Sequence, residues 1–189
     1  MTTNHHTDIA TGATANAATI NSPLGELDAA ISIVKGIEKL SAASFGITNA
    51  TPSAGFIGAS VRGMSTWRMD DTTTEAVGAG FVYLGDAPGS TIEVDVYWAA
   101  DSATSGGVTW NVTLDALAEG DDATAAFVDD FVTETVPGTA KLLAKTTFSS
   151  TVSYVSGDLI RLTVSRWSSL GTDTATGDVH FIAAVVRFV

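Results

Sequence analysis

The sequence predicts a mainly β protein. The expected architecture is an antiparallel β-sandwich or jelly roll, preceded by an extended N-terminal arm and a short helix, and assembled as a trimer. Three observations carry this. From about Trp67 onward, apolar residues recur at every second position in short runs, the period of a half-buried strand. Between those runs lie GDAPGS, SATSGG, EGDD, VPGT, VSGD and SLGTDTATGD, the Gly, Pro, Asp and Ser clusters that close β connections. Ahead of the body, one stretch between residues 22 and 41 has helical spacing and divides the β region from a polar arm.

Residues 1–21 are small and polar, with no period of 2 or 3.6. Such a segment buries too little apolar surface to fold alone. It is either a dispensable tail or an arm that docks on a neighbouring protein, and the near absence of charge runs and Pro/Gly spacers favours the docking arm. Residues 22–41 follow as a short helix. Ser22 supplies an N-cap and Pro23 sits at the first helical position, where its missing N–H costs nothing. Ile20, Leu24, Leu27, Ile31 and Val34 are spaced four, three, four and three apart, a heptad seam. Gly25 and Gly36 weaken the helix, and Glu38 interrupts the seam while Ile37 and Leu40 fall off register. The segment therefore packs either on its own β domain or against copies of itself as a bundle junction, and its position beside a free arm favours the bundle. Residues 42–65 are expected to be a linker, with a short strand around Phe56 to Arg62.

Residues 66–189 form the β-sandwich or jelly-roll domain. The expected strands are Glu75–Leu84, Thr91–Trp98, Val108–Leu114, Ala126–Thr133, Lys141–Phe148, Thr151–Val155, Asp158–Trp167 and Asp178–Val189. Thr91–Trp98 points Ile92, Val94, Val96 and Trp98 inward, with Glu93, Asp95 and Tyr97 outward. Val108–Leu114 does the same with Trp110 among its inward residues and Thr109, Asn111 and Thr113 opposite. The final run, VHFIAAVVRFV, is apolar on both faces. It is expected to lie centrally or against a subunit interface, with Val179–Val189 contributing most to trimer association.

Composition narrows the function. The formal net charge is −12 with nine scattered Lys and Arg, which argues against nucleic acid and anionic membrane as partners. Cysteine is absent, so there is no disulfide, thiolate metal site or cysteine nucleophile. No secretory leader pattern is visible in the first residues, and no run of about 18 apolar residues suits membrane insertion. Enzymatic activity is not expected. His180 is the one histidine of the body, no G-x-S-x-G elbow occurs, and no carboxylate pair is singled out as a glycosidase would require. Asp70-Asp71, Asp121-Asp122 and Asp129-Asp130 offer hard oxygen ligands to calcium, but no segment matches an EF-hand loop, and solvated turn residues are the preferred reading. No cofactor is otherwise expected. Asn49-Ala50-Thr51 and Asn111-Val112-Thr113 match glycosylation acceptors and are discounted for want of a leader. Of the four tryptophans, Trp98 and Trp110 belong to the core. Trp167, at a strand end beside a Gly/Thr/Asp loop, is the candidate ligand contact.

The run NHHTDIATGATANAATINSPLGELDAAI resembles the start of tailed-bacteriophage virion structural proteins of the short-fibre, receptor-binding or head-decoration type. GDLIRLTVSRWSSLGTDTATGDVHFIAAVVRFV resembles the closing strands of jelly-roll domains in phage particles. The resemblance implies a homotrimeric virion component, assembled in the host cytoplasm and attached to other virion proteins through residues 1–21, with an outward β domain that contacts a host-surface glycan. It departs from long tail fibres in having no shaft repeat. Two alternatives stand beside a short trimeric fibre or spike: a capsid decoration protein that stabilises capsomers, and a lectin-like carbohydrate-binding domain.

Overall fold

The computed structural model describes residues 37–57, 63–124 and 127–189. The docking arm 1–21 and the seam residues Ile20, Leu24, Leu27, Ile31 and Val34 lie outside the described residues. Eleven strands are found among those described: β1 (Ile37–Ser41), β2 (Gly46–Asn49), β3 (Ser53–Ile57), β4 (Met64–Met69), β5 (Glu75–Val82), β6 (Gly89–Ala100), β7 (Gly107–Leu117), β8 (Val128–Thr135), β9 (Ala144–Tyr154), β10 (Leu159–Arg166) and β11 (Val179–Phe188). One sheet runs β3-β4-β11-β6-β9, with β1 also on β11, and the other runs β2-β5-β10-β7-β8. All pairings are antiparallel.

Without β1, β2 and β3, two four-stranded sheets remain, β4-β11-β6-β9 and β5-β10-β7-β8. From β4 to β11 the chain changes sheets at every connection except the β7–β8 hairpin. That is the jelly-roll path, in which successive strands pack face to face and most hydrogen-bonded neighbours are distant in sequence.

The alternation in the sequence sets the core. Ile92, Val94, Val96 and Trp98 from β6 face Val108, Trp110, Val112 and Leu114 from β7, and all eight are completely buried. Trp98 and Trp110 meet across the sheets at 5.8 Å, and Trp98 Nε1 donates to Thr146 Oγ1 at 2.9 Å, so its polar atom is satisfied inside the core. Phe45 packs edge-on against Phe181 at 4.8 Å.

Several boundaries differ from expectation. The end of the expected helix, Ile37–Ser41, is β1, because Leu40 faces Ala184 and Glu38 faces Val186 along the half of β11 that β4 does not reach. Alternation on a ready edge overrides the helical spacing, which Ile37 and Leu40 already break. The expected linker 42–65 contains a 3₁₀ turn (Ala42–Ser44), β2 and β3. Its small residues pair because β5 and β4 offer edges, and the expected strand near Phe56 is β3, which ends at Ile57. The expected strands Lys141–Phe148 and Thr151–Val155 merge into one strand, β9, which starts only at Ala144 and whose Ser149 and Ser150 continue the in–out alternation. β11 is central, with β6 along one edge and β4 and β1 sharing the other. Its pairing edges are therefore spent within this sheet.

A close contact pins β3 to the sheet. At Gly55 an added Cβ would meet Thr66 Oγ1 at 2.7 Å and the His180 ring at 3.0 Å. Thr66 Oγ1 and His180 Nδ1 share a hydrogen bond of 2.8 Å. Burial lowers the His180 pKa from its usual value; Asp101, 3.4 Å from Nε2 and outside hydrogen-bond geometry, opposes the shift without reversing it.

Candidate functional site

The outward side chains of the β5-β10-β7-β8 sheet differ from the usual solvated face. Lys and Glu are scarce there, and short hydrogen-bonding side chains are set in rows. The register places Asn111 beside Ser165 and Thr113 beside Thr163 on the β7–β10 pair, and Thr113 beside Asp129 and Asn111 beside Phe131 on the β7–β8 pair. On the other flank, Ser165 and Thr163 face Ala76 and Gly78 of β5, which keep that part of the floor low. Phe127, Phe131 and Trp167 stand at the margin. The result is an open cavity of about 430 Å³, whose lining includes Asn111, Thr113, Asp129, Arg161, Thr163 and Trp167. That volume falls in the range of small-molecule sites.

The floor is preorganised by its own hydrogen bonds. Ser165 Oγ donates to Asn111 Oδ1 at 3.2 Å, and Thr113 Oγ1 donates to Asp129 Oδ1 at 2.8 Å, with Asn111 Oδ1 a second acceptor at 3.1 Å. Asn111 Nδ2 makes long bonds of 3.4 Å to Asp129 Oδ1 and the Asp130 carbonyl. Asn111 is 2% exposed, so it serves as the buried hub of the floor. Arg161 bonds the Asp115 carboxylate and the Ala123 carbonyl, and its guanidinium carbon lies 4.7 Å from the centre of the Phe127 ring. Trp167 meets Phe131 edge-on at 5.2 Å. Trp167, backed by Phe131, forms an apolar wall beside a hydroxyl-, amide- and carboxylate-bearing floor.

A buried ion pair holds that wall. Arg166 occupies an inward position of β10 and is fully buried; Asp173 reaches it from the following loop, its side chain 2% exposed. The fork is complete. Nε donates to Asp173 Oδ2 at 3.1 Å and Nη2 to Oδ1 at 2.8 Å, while Nη2 and Nη1 also donate to the carbonyls of Ala175 and Gly177, each at 2.7 Å. Asp173 Oδ2 additionally accepts the Thr109 N–H at 3.0 Å, and the Trp167 N–H donates to the Thr109 carbonyl at 2.8 Å. The loop after Trp167 is thus tied to the end of the sandwich on both sides of the ring. Gly106, at φ +95°, allows the facing turn to approach: a Cβ there would lie 2.8 Å from the Ala175 nitrogen and the Thr174 oxygen.

Of the residues singled out in the sequence, Trp167 lines the cavity, while Trp98 and Trp110 are core and Trp67 is half-buried with its Nε1 donating to the Ala42 carbonyl at 2.9 Å. The aspartate pairs are separated. Asp70 Oδ1 closes a turn by accepting the Thr72 and Thr73 N–H groups, both at 2.7 Å; burial would raise its pKa, but these bonds and the Thr72 hydroxyl outweigh it and leave the carboxyl below its usual range. Asp122 Oδ1 accepts from the Thr124 N–H at 2.8 Å, and Asp129 belongs to the cavity. The nearby Glu75 is pushed up by burial, the Asp70 N–H it accepts opposing this and the carboxylates of Asp70 and Asp178 adding to it. Sequence reading missed Asn111, Thr113, Asp129, Arg161 and Ser165 as a group. Their signal was present in TWNVT and TVSRW, where the outward positions carry Asn, Thr and Ser in place of Lys and Glu.

No family model matches the chain, and no curated protein matches it. Solved structures align with most of the chain. The CBM36-1 domain of a multidomain xylanase from the hindgut metagenome of Trinervitermes trinervoides aligns with TM-score 0.48 and 8% identity, over 81% of this chain and 98% of that one. The CBM22-1 xylan-binding domain of Paenibacillus barcinonensis Xyn10C aligns with TM-score 0.47 and 11% identity, over 80% and 93%. A family 35 carbohydrate-binding module from Clostridium thermocellum aligns with TM-score 0.46 and 11% identity, over 79% and 96%.

Proposed function

We propose that this protein binds carbohydrate, and that the ligand lies across the outer face of β7, β8 and β10. The carrying observation is that Trp167, backed by Phe131, lines one cavity together with the Asn111–Thr113–Asp129 floor. A pyranose presents a C–H face and a rim of hydroxyls, and such a ligand satisfies both halves of this site at once. The aromatic wall takes the apolar face, where area burial and ring geometry contribute together. The floor offers both donors and acceptors to hydroxyls that are themselves donors and acceptors. The role is binding, not catalysis. Asp115 is engaged by Arg161 and Asp129 by Thr113, the fixed tasks of a recognition surface.

Attachment of this domain to a virion as a short trimeric fibre or a capsid decoration protein is a proposal carried by the sequence alone, chiefly by residues 1–34. A trimeric mass in solution is its first requirement, and a monomer would remove the bundle argument.

The carbohydrate reading is tested with the full chain on a glycan array, followed by calorimetry on the strongest hits. Binding should be lost or weakened about tenfold or more in Trp167→Ala, equivalent to about 1.4 kcal/mol, with the far-UV circular dichroism unchanged. A folded protein that binds no glycan, or a Trp167→Ala variant that binds as well as the parent, would overturn it.

A further inference from the structure

The electrostatics of the cavity carry the reading one step further, to the class of glycan; this step rests on the carbohydrate proposal above. Arg161 is the cation of the lining among the described residues, and it is already committed to an ion pair. One terminal nitrogen bonds Asp115, the other bonds the Ala123 carbonyl, the ring of Phe127 covers the guanidinium, and Nε is sealed from solvent. Asp115 cancels its charge. Asp129 then leaves the floor with an uncompensated negative charge, since its bonds come from the neutral Thr113 and Asn111. Asp122, on the loop after β7, and the net charge of −12 place this site in a negative field.

We infer that the cavity selects neutral glycans and rejects those bearing uronate or other acidic groups. A neutral hydroxyl can donate to Asp129, whereas a ligand carboxylate there would meet a like charge, the one cation of the lining being already paired with Asp115. A basic or amino-bearing sugar would not suffer this exclusion, so the discrimination is by sign of charge and not by size.

The test uses the full chain and two matched probe sets, neutral oligosaccharides and the same oligosaccharides carrying a glucuronate residue. Affinities are compared at low salt and at physiological salt. Neutral probes should bind about tenfold more tightly or better at low salt. The gap should narrow as salt screens Asp129, the Debye length falling from about 30 Å at 0.01 M to about 8 Å at 0.15 M. Asp129→Asn keeps the oxygen that Thr113 bonds and removes the charge, so it should raise uronate binding and close most of the gap. Equal or tighter binding of the uronate probes by the parent, or a preference indifferent to salt, overturns the selectivity while leaving carbohydrate binding intact. Failure to bind either set while folded overturns the carbohydrate proposal and the selectivity with it. Because the salt series needs no variant, the result stands even if Asp129→Asn misfolds.

Discussion

Asp173→Ala strips the buried Arg166 guanidinium of its carboxylate partner. Three bonds disappear: two from Arg166, at 3.1 and 2.8 Å, and one from the Thr109 N–H, at 3.0 Å. Arg166 cannot escape to solvent, because its side chain is fully buried and its other bonds hold it to the carbonyls of Ala175 and Gly177. Breaking one side of such a pair costs about 3–5 kcal/mol, a large part of the total of about 5–15 kcal/mol that holds a domain together. At about 2–4 °C per kcal/mol for a domain of this size, a loss near 4 kcal/mol lowers Tm by about 8–16 °C. Urea unfolding of the full chain, followed by tryptophan fluorescence and circular dichroism, measures the loss directly. The double variant Arg166→Met, Asp173→Leu removes both charges and should recover a substantial part of it, since a well-packed apolar pair avoids the desolvation that an orphaned guanidinium suffers. If Asp173→Ala costs less than about 1 kcal/mol, or the double variant is as unstable as the sum of its singles, the pair does not carry the loop and the account of the Trp167 wall fails.

Three further outcomes follow from the same geometry. The Arg187 guanidinium, 2.7 Å from Asp95, holds that carboxyl down to about 2 against its burial, with Thr147 and Lys145 assisting. A lowered folded pKa means stabilisation that is present above the free value of 3.8 and lost as pH falls toward 2. Asp95→Asn should therefore cost about 2 kcal/mol at pH 6 and almost nothing near pH 2, and an equal cost at both, measured by urea midpoints, would contradict the linkage. Gly106→Ala forces a Cβ to within 2.8 Å of backbone atoms at a positive φ, and should lower stability by about 1–3 kcal/mol; an unchanged melting curve would show that the turn shifts freely. His180 is held neutral by burial, so its contribution is full above its ordinary pKa and lost as pH falls below it. His180→Gln should flatten the stability profile between about pH 7 and 5, and a profile as steep as the parent's would exclude the histidine as its source.

Strands with one wholly apolar face were legible in the sequence. Ile92 to Trp98 of β6 and Val108 to Leu114 of β7 alternate without a break, because the core between them admits only apolar side chains. β9 is two runs in the sequence because Ser149-Ser150 carries no apolar residue; the pairing with β6, Glu93 beside Ser149 and Ile92 beside Ser150, makes it a single strand. β1, β2 and β3 were obscure for a different reason. Their residues have little strand preference of their own, and they become strands by completing the edges of β11, β5 and β4. The cavity was half visible. Trp167 stood out by type and position, whereas Asn111, Thr113, Asp129 and Ser165 become neighbours only once the β7–β8 and β7–β10 registers are known. Arg166 left a clearer trace than was read: in LIRLTVSRW it falls in phase with Ile160, Leu162 and Val164, a charge where the period demands an apolar residue.

The central place of β11 has a consequence for synthesis on the ribosome. β1 and β4 lie end to end along one edge of β11, and the Thr66–His180 contact between β4 and β11 spans 114 residues of chain. At about 5–20 residues per second, roughly 6–23 s separate the emergence of the two partners. Throughout that interval β4 and β1 are strands without a seat, and β6 lacks a partner on one edge. The nascent chain must keep those edges from other chains until β11 slides between them, so the first sheet closes only once β11 has been made.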